Sequence, residues 1–178
     1  MLSYFSSDYQ EARARFVEAV RTAGGKPQSI AHPEAGPKGE SLSTEVAWFG
    51  PVDAPRVFVS ISGTHGVEGF YGSAAQSAWV ERNEFGRFGE RTAALLVHAL
   101  NPYGFAWLRR TDENNVDLNR NWLDFSAPLP TNERYDELAD DLCPSDWSAE
   151  NQKRVGTRIG LWIEQNGMTA YQQAVTGG

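Results

Sequence analysis

The chain has one cysteine and three histidines in 178 residues, and no apolar run long enough to span a bilayer. A single cysteine, Cys143, excludes an internal disulfide, and Leu142-Cys143-Pro144 offers neither base nor positive charge to activate a thiol. Cys143 is therefore expected to be a buried or half-buried thiol rather than a nucleophile. Basic residues are also short: 16 Lys and Arg against 23 Asp and Glu give a net charge of −7. A field of that sign repels nucleic acid and anionic membranes, so neither is expected as a main partner. The first residues, Met1-Leu2-Ser3-Tyr4-Phe5, lack a basic start and an apolar core, which suggests a cytoplasmic protein. No internal repeat or low-complexity tract breaks the chain. What is present is a globular composition, 40% hydrophobic and 12% aromatic, with six Trp. That suits one domain over residues 1–178.

The pattern reads as α/β. Residues 7–25 predict a helix, with Ser7 and Gln10 as a capping box and Phe16, Val17 and Val20 as its apolar stripe. Residues 26–40 are rich in Pro and Gly and read as loop. Residues 45–49 alternate like a strand. Residues 56–62 are almost continuously apolar, as in a strand buried on both faces. A helix over about 70–84 and a strand over 93–100 complete a parallel β-α-β unit. Beyond residue 130 the chain is helical and polar. Asn132 caps a helix to Leu142, and another runs over 148–165 and stops at Gly167. The fold class expected is a three-layer α/β/α arrangement on a mixed, mostly parallel sheet, incomplete at its C-terminal end.

Two motifs follow the two parallel strands. The first is Gly63-Thr64-His65-Gly66-Val67-Glu68-Gly69. A His and a Glu three apart on a Gly-flanked turn place both side chains on one side, able to hold one divalent metal. Zinc takes imidazole nitrogen and carboxylate oxygen readily. The second motif runs from Asn101-Pro102-Tyr103-Gly104 through Arg109-Arg110 to Asp117-Leu118-Asn119-Arg120-Asn121. Arg presents a planar fork matched to carboxylates, and Asn119 adds amide donors. Asn-Pro-x-Gly alone is a turn, and Asp117 reads as a carboxylate that orients its loop. Ligand sites in such sheets lie outside the carboxyl ends of the strands, so both motifs can meet in one cleft. His98, on a strand, reads as structural.

At these residues the sequence resembles the zinc carboxypeptidase superfamily of the carboxypeptidase A type. The specific likeness is to a bacterial branch described only as a domain of unknown function. The resemblance is firm over residues 56–122. It implies Zn2+ on His65 and Glu68, a carbonyl-polarising Arg at Arg110 (Arg109 being the next choice), and Asn119 and Arg120 on the terminal carboxylate of a substrate. The family's third ligand is a His after the Asn-Arg pair, and its general base is a later Glu. Here the histidines are His32, His65 and His98, and none follows Arg120. The chain is therefore expected to be the N-terminal half of a longer zinc hydrolase. That enzyme would act on a peptide or acyl-amino-acid substrate with a free carboxylate. Amidohydrolases resembling aspartoacylase and succinylglutamate desuccinylase keep the same His-x-x-Glu pair and stand as an alternative. A non-catalytic carboxylate-binding module is another.

Overall fold

A computed structural model describes residues 4–176; the leader reading at residues 1–3 and the closing Gly177-Gly178 lie outside the described residues. The chain forms two compact units, Met1–Trp122 and Leu123–Gly178, where the sequence alone reads as one domain.

In the first unit the order is α1 (Tyr9–Thr22), β1 (Gln28–Ala35), β2 (Ser41–Phe49), β3 (Arg56–Ile61), α2 (Gly69–Glu81), β4 (Thr92–His98) and α3 (Pro102–Trp107). The four strands form a mixed sheet in the order β1-β2-β4-β3. β3 and β4 are parallel with α2 between them, which is the expected β-α-β unit. The β1–β2 and β2–β4 pairings are antiparallel, so the sheet is less parallel than the sequence suggests.

α1 starts one residue later than the predicted cap. Asp8, not Ser7, accepts from the Glu11 N–H at 2.9 Å, and Glu11 reaches back to the Ser7 N–H at 2.8 Å. The box is thus closed by Asp8 and Glu11. The segment read as loop at 26–40 contains β1. Its signal is weak because the strand lies at the sheet edge, where Pro33 is tolerated and the register shifts between Ala31 and Ala35. β3 is also an edge strand, not one buried on both faces. Val57, Phe58, Val59 and Ile61 are each 43–50% exposed. A run of apolar residues cannot by itself distinguish a central strand from an apolar edge.

The core lies where α1 and α2 cover one face of the sheet. Phe16, Ala19, Val20 and Val80 pack on Ala47, Phe49, Ala94 and Leu96. A second cluster, Tyr9, Ala12, Leu42, Ala99 and Phe105, underlies the two motif loops. Polar groups buried here are mostly paired. Glu45 accepts from Arg13 Nε at 2.6 Å, Ser29 at 2.6 Å and Ser43 at 2.7 Å. These bonds hold its carboxyl below the usual range although burial pushes it up. His98 is fully buried, stacked on Phe16 at 4.6 Å, with Nε2 against Ser73 Oγ at 2.8 Å. Burial pushes its pKa down to about 4, so it is neutral, and the structural reading of His98 fits this packing.

In the second unit, α4 (Glu133–Leu142) is capped by Asn132, as expected, through the Tyr135 N–H at 3.1 Å. α5 (Ala149–Asn166) starts at Ser148 and stops at Gly167, and α6 (Met168–Thr176) follows. Cys143 is exposed, contrary to expectation, because it sits at the end of α4 with Leu138 rather than itself turned inward. Among the described residues, no helix is long and apolar enough to cross a membrane.

Candidate metal and carboxylate site

Both motif loops leave the carboxyl ends of the parallel pair. The pairing runs on into them: the Leu100 N–H donates to Ser62 O and the Asn101 N–H to Gly63 O, each at 2.9 Å. Gln76 of α2 fastens this end. Its Nε2 donates to Ser60 O at 3.0 Å and Val97 O at 3.2 Å, while its Oε1 accepts from Ser62 Oγ at 2.8 Å. One buried amide therefore joins β3, β4 and the start of the first loop.

Two glycines let the loops dock. Gly63 has φ +67, and a Cβ there would meet Ala99 Cα at 2.9 Å. A Cβ on Gly66 would run into the Gly104 and Arg109 carbonyls, and the Gly66 N–H donates to Arg109 O at 2.9 Å. The Asn-Pro-x-Gly segment is more than a turn. Asn101 caps α3, accepting from the Gly104 N–H at 2.7 Å, and Pro102 occupies the first turn, where a missing N–H costs nothing.

The first motif presents His65 and Glu68 together, with His65 Nδ1 lying 2.8 Å from Glu68 Oε2. Glu68 stands at the start of α2 but makes no side-chain cap, so its carboxylate, 70% exposed, is left to His65. The other ring nitrogen, Nε2, lies 2.9 Å from Asp117 Oδ1. Asp117 begins a one-turn 3-10 helix, Leu118–Arg120, and also accepts from the Asn119 N–H at 2.9 Å and from Arg110 Nε at 2.8 Å. Burial pushes the Asp117 carboxyl up, but the bonds from His65, Asn119 and Arg110 outweigh it and hold it below the usual range.

Of the two arginines, Arg110 joins this group. Arg109 lies over the Tyr103 ring at 5.9 Å and donates to Thr111 and Asn115 in its own loop. Asn119 and Arg120 stand exposed on the short helix beside Asp117, with Arg120 donating to Asn119 O at 3.2 Å. The hydrogen-bonded group is thus His65, Glu68, Asp117 and Arg110, with Asn119 and Arg120 on its flank.

The chemistry follows from the imidazole. Both ring nitrogens face carboxylate oxygens, and a neutral imidazole donates from only one of them. The other nitrogen then presents a lone pair, able to accept a hydrogen bond or to ligate a metal. Among the described residues, no cluster of three or more His, Cys, Asp or Glu side chains is arranged to hold a metal. The sequence reading gave Asp117 only a loop-orienting role. Its bond to a His fifty-two positions earlier has no local sequence signal.

No curated protein matches the chain. Among solved structures it is similar to a Zn-dependent exopeptidase from Parabacteroides distasonis, at 12% identity and TM-score 0.39, over 80% of this chain and 50% of that one. It is also similar to glutaminyl cyclase from Porphyromonas gingivalis. One structure of that protein matches at 14% identity and TM-score 0.34, over 58% of this chain and 50% of that one. A second matches at 13% and 0.38, over 70% and 58%. The chain thus spans between half and three-fifths of the length of these structures. Residues 5–178 match the model of the family described as "Protein of unknown function (DUF2817)", and the chain belongs to that family.

Proposed function

We propose that this chain carries part of the site of a zinc-dependent hydrolase of the carboxypeptidase type, which cleaves an amide bond beside a free carboxylate. One observation carries the reading. Asp117 is bonded at once to His65 and to Arg110, while the other nitrogen of that His meets Glu68 at 2.8 Å.

The donor types suit zinc: an imidazole nitrogen and a carboxylate oxygen, 2.8 Å apart. When bound, zinc supplies a Lewis acid and a water whose pKa falls toward neutrality. Asp117 accepts the Nε2 proton and so keeps the Nδ1 lone pair turned toward Glu68, the arrangement that orients metal-ligating histidines. Through its other oxygen Asp117 holds Arg110 by Nε. The terminal nitrogens of that half-exposed guanidinium stay available to a substrate carbonyl as it gains negative charge. Asn119 and Arg120 bind the free carboxylate of the substrate. The third ligand and the general base come, on this proposal, from other residues of the whole protein.

Hydrolysis by the whole protein tests this, with peptides and N-acyl amino acids compared and Arg110→Ala as control. Release of C-terminal residues, lost at least a hundredfold in Arg110→Ala, supports the proposal. Deacylation without peptide cleavage contradicts it in favour of an acyl-amino-acid amidohydrolase. Carboxylate binding that survives chelation, with no turnover, contradicts it in favour of a binding module.

A further inference from the structure

α2 carries a second feature that the metal and carboxylate groups do not use. Along one stripe of the helix stand Tyr71, Ala75, Ala78 and, at its C-terminal cap, Arg82, spaced three and four residues apart. Tyr4 and Phe5 pass beside them, and together these side chains line a cavity of about 180 Å³. Phe5 and Tyr71 face each other at 6.4 Å, and the Arg82 guanidinium lies 5.9 Å from the centre of the Tyr4 ring.

Size and shape restrict what fits. Tyr71 to Arg82 is eleven residues along the helix, roughly 16 Å at about 1.5 Å per residue. A small volume spread over that length is narrow. It lies below the roughly 300 Å³ at which cofactor and drug-sized sites begin. A nucleotide is too large for it, whereas a single unbranched chain fits over the alanine methyls.

Charge fixes the other end. Among the described residues, no carboxylate pairs with Arg82, and its guanidinium lies against the Tyr4 ring face. A cation at the mouth of an apolar trough, held against an aromatic ring, can take an anion without breaking an ion pair.

We propose that this trough binds an unbranched aliphatic carboxylate, with its chain over Ala75 and Ala78 alongside Phe5 and Tyr71 and its carboxylate on Arg82. The site is independent of the metal reading. Arg82 lies fourteen residues along α2 from Glu68, roughly 21 Å by the same rise, beyond the reach of a chain that fills the trough.

The test is calorimetric titration of the full chain with octanoate, 1-octanol and acetate, in the presence of EDTA. One saturable octanoate site is expected, with octanol at least tenfold weaker and no acetate binding. Ala75→Phe fills the trough and should weaken octanoate at least tenfold. Arg82→Gln should reduce octanoate to the octanol level and leave octanol unchanged. Both positions are exposed, and a thermal melt of each variant checks that folding is retained. Absent octanoate saturation, or octanoate binding that neither substitution alters, would overturn the proposal. Equal binding of octanol and octanoate would overturn it too.

Discussion

Asp117 Oδ1 lies 2.9 Å from Nε2 of His65, and the same carboxylate holds Arg110 through its other oxygen. A ring nitrogen of the first motif and a guanidinium of the second thus share one anion. Replacing it tests the coupling. In Asp117→Asn the amide offers one acceptor and one donor to two donors, so one partner loses its bond or the imidazole takes the other tautomer. Zinc affinity, measured by competition with a chromophoric chelator, should fall about 10- to 100-fold while the fold is kept. Unchanged affinity would separate Asp117 from the metal pair.

Gly66 is where the two loops touch. Gly66→Ala places a methyl against the Gly104 and Arg109 carbonyls and strains the Gly66 N–H bond to Arg109. Overpacking of this kind costs about 1–3 kcal/mol. Urea unfolding should show that loss, whereas Gly39→Ala, in the turn before β2, should leave zinc affinity unchanged.

Acid should weaken the fold through His98. Its pKa is lowered from 6.5 to about 4 by burial, so the unfolded chain takes up a proton that the native chain refuses. The stabilising effect is full above pH 6.5. It falls as pH drops from there to about 4 and is gone below that, by about 3 kcal/mol at most. Denaturant unfolding of wild type and His98→Gln over this window should show a shallower slope in the variant. Parallel slopes would mean that His98 does not control this pH dependence.

Glu45 of β2 and Arg13 of α1 form a partly buried ion pair, with Glu45 only 2% exposed. Removing the cation leaves a buried carboxylate to Ser29 and Ser43 alone. Arg13→Ala should cost about 3 kcal/mol, the low end for such pairs because Arg13 is partly solvated. Its midpoint in urea, compared with that of Glu45→Gln/Arg13→Ala, checks this, since the double variant should recover stability.

Much of this was legible in the chain. The β3-α2-β4 unit, the Asn132 cap, the helix over 148–165 and its Gly167 stop depend on local rules and appear where periodicity and capping put them. β1 was not legible. Its sequence carries Pro33, and its residues are mostly exposed, so neither alternation nor β propensity marks it. The edge position of β3 was hidden for another reason. Strand order is set by pairing partners far apart in sequence, not by the apolar run itself. At the site, residue types and spacing pointed to His65 and Glu68, and the family resemblance to Arg110. The choice of Arg110 over Arg109 as the partner of Asp117 depends on how residues 109–117 fold back, with Asp112 accepting from the Asn114 and Val116 N–H groups.

Zinc binding to the purified whole protein tests the central claim most directly, with His65→Ala and Glu68→Ala as controls. The account predicts one saturable Zn2+ per chain, weakened at least tenfold by either substitution. No saturable zinc, or a zinc indifferent to both substitutions, would contradict it.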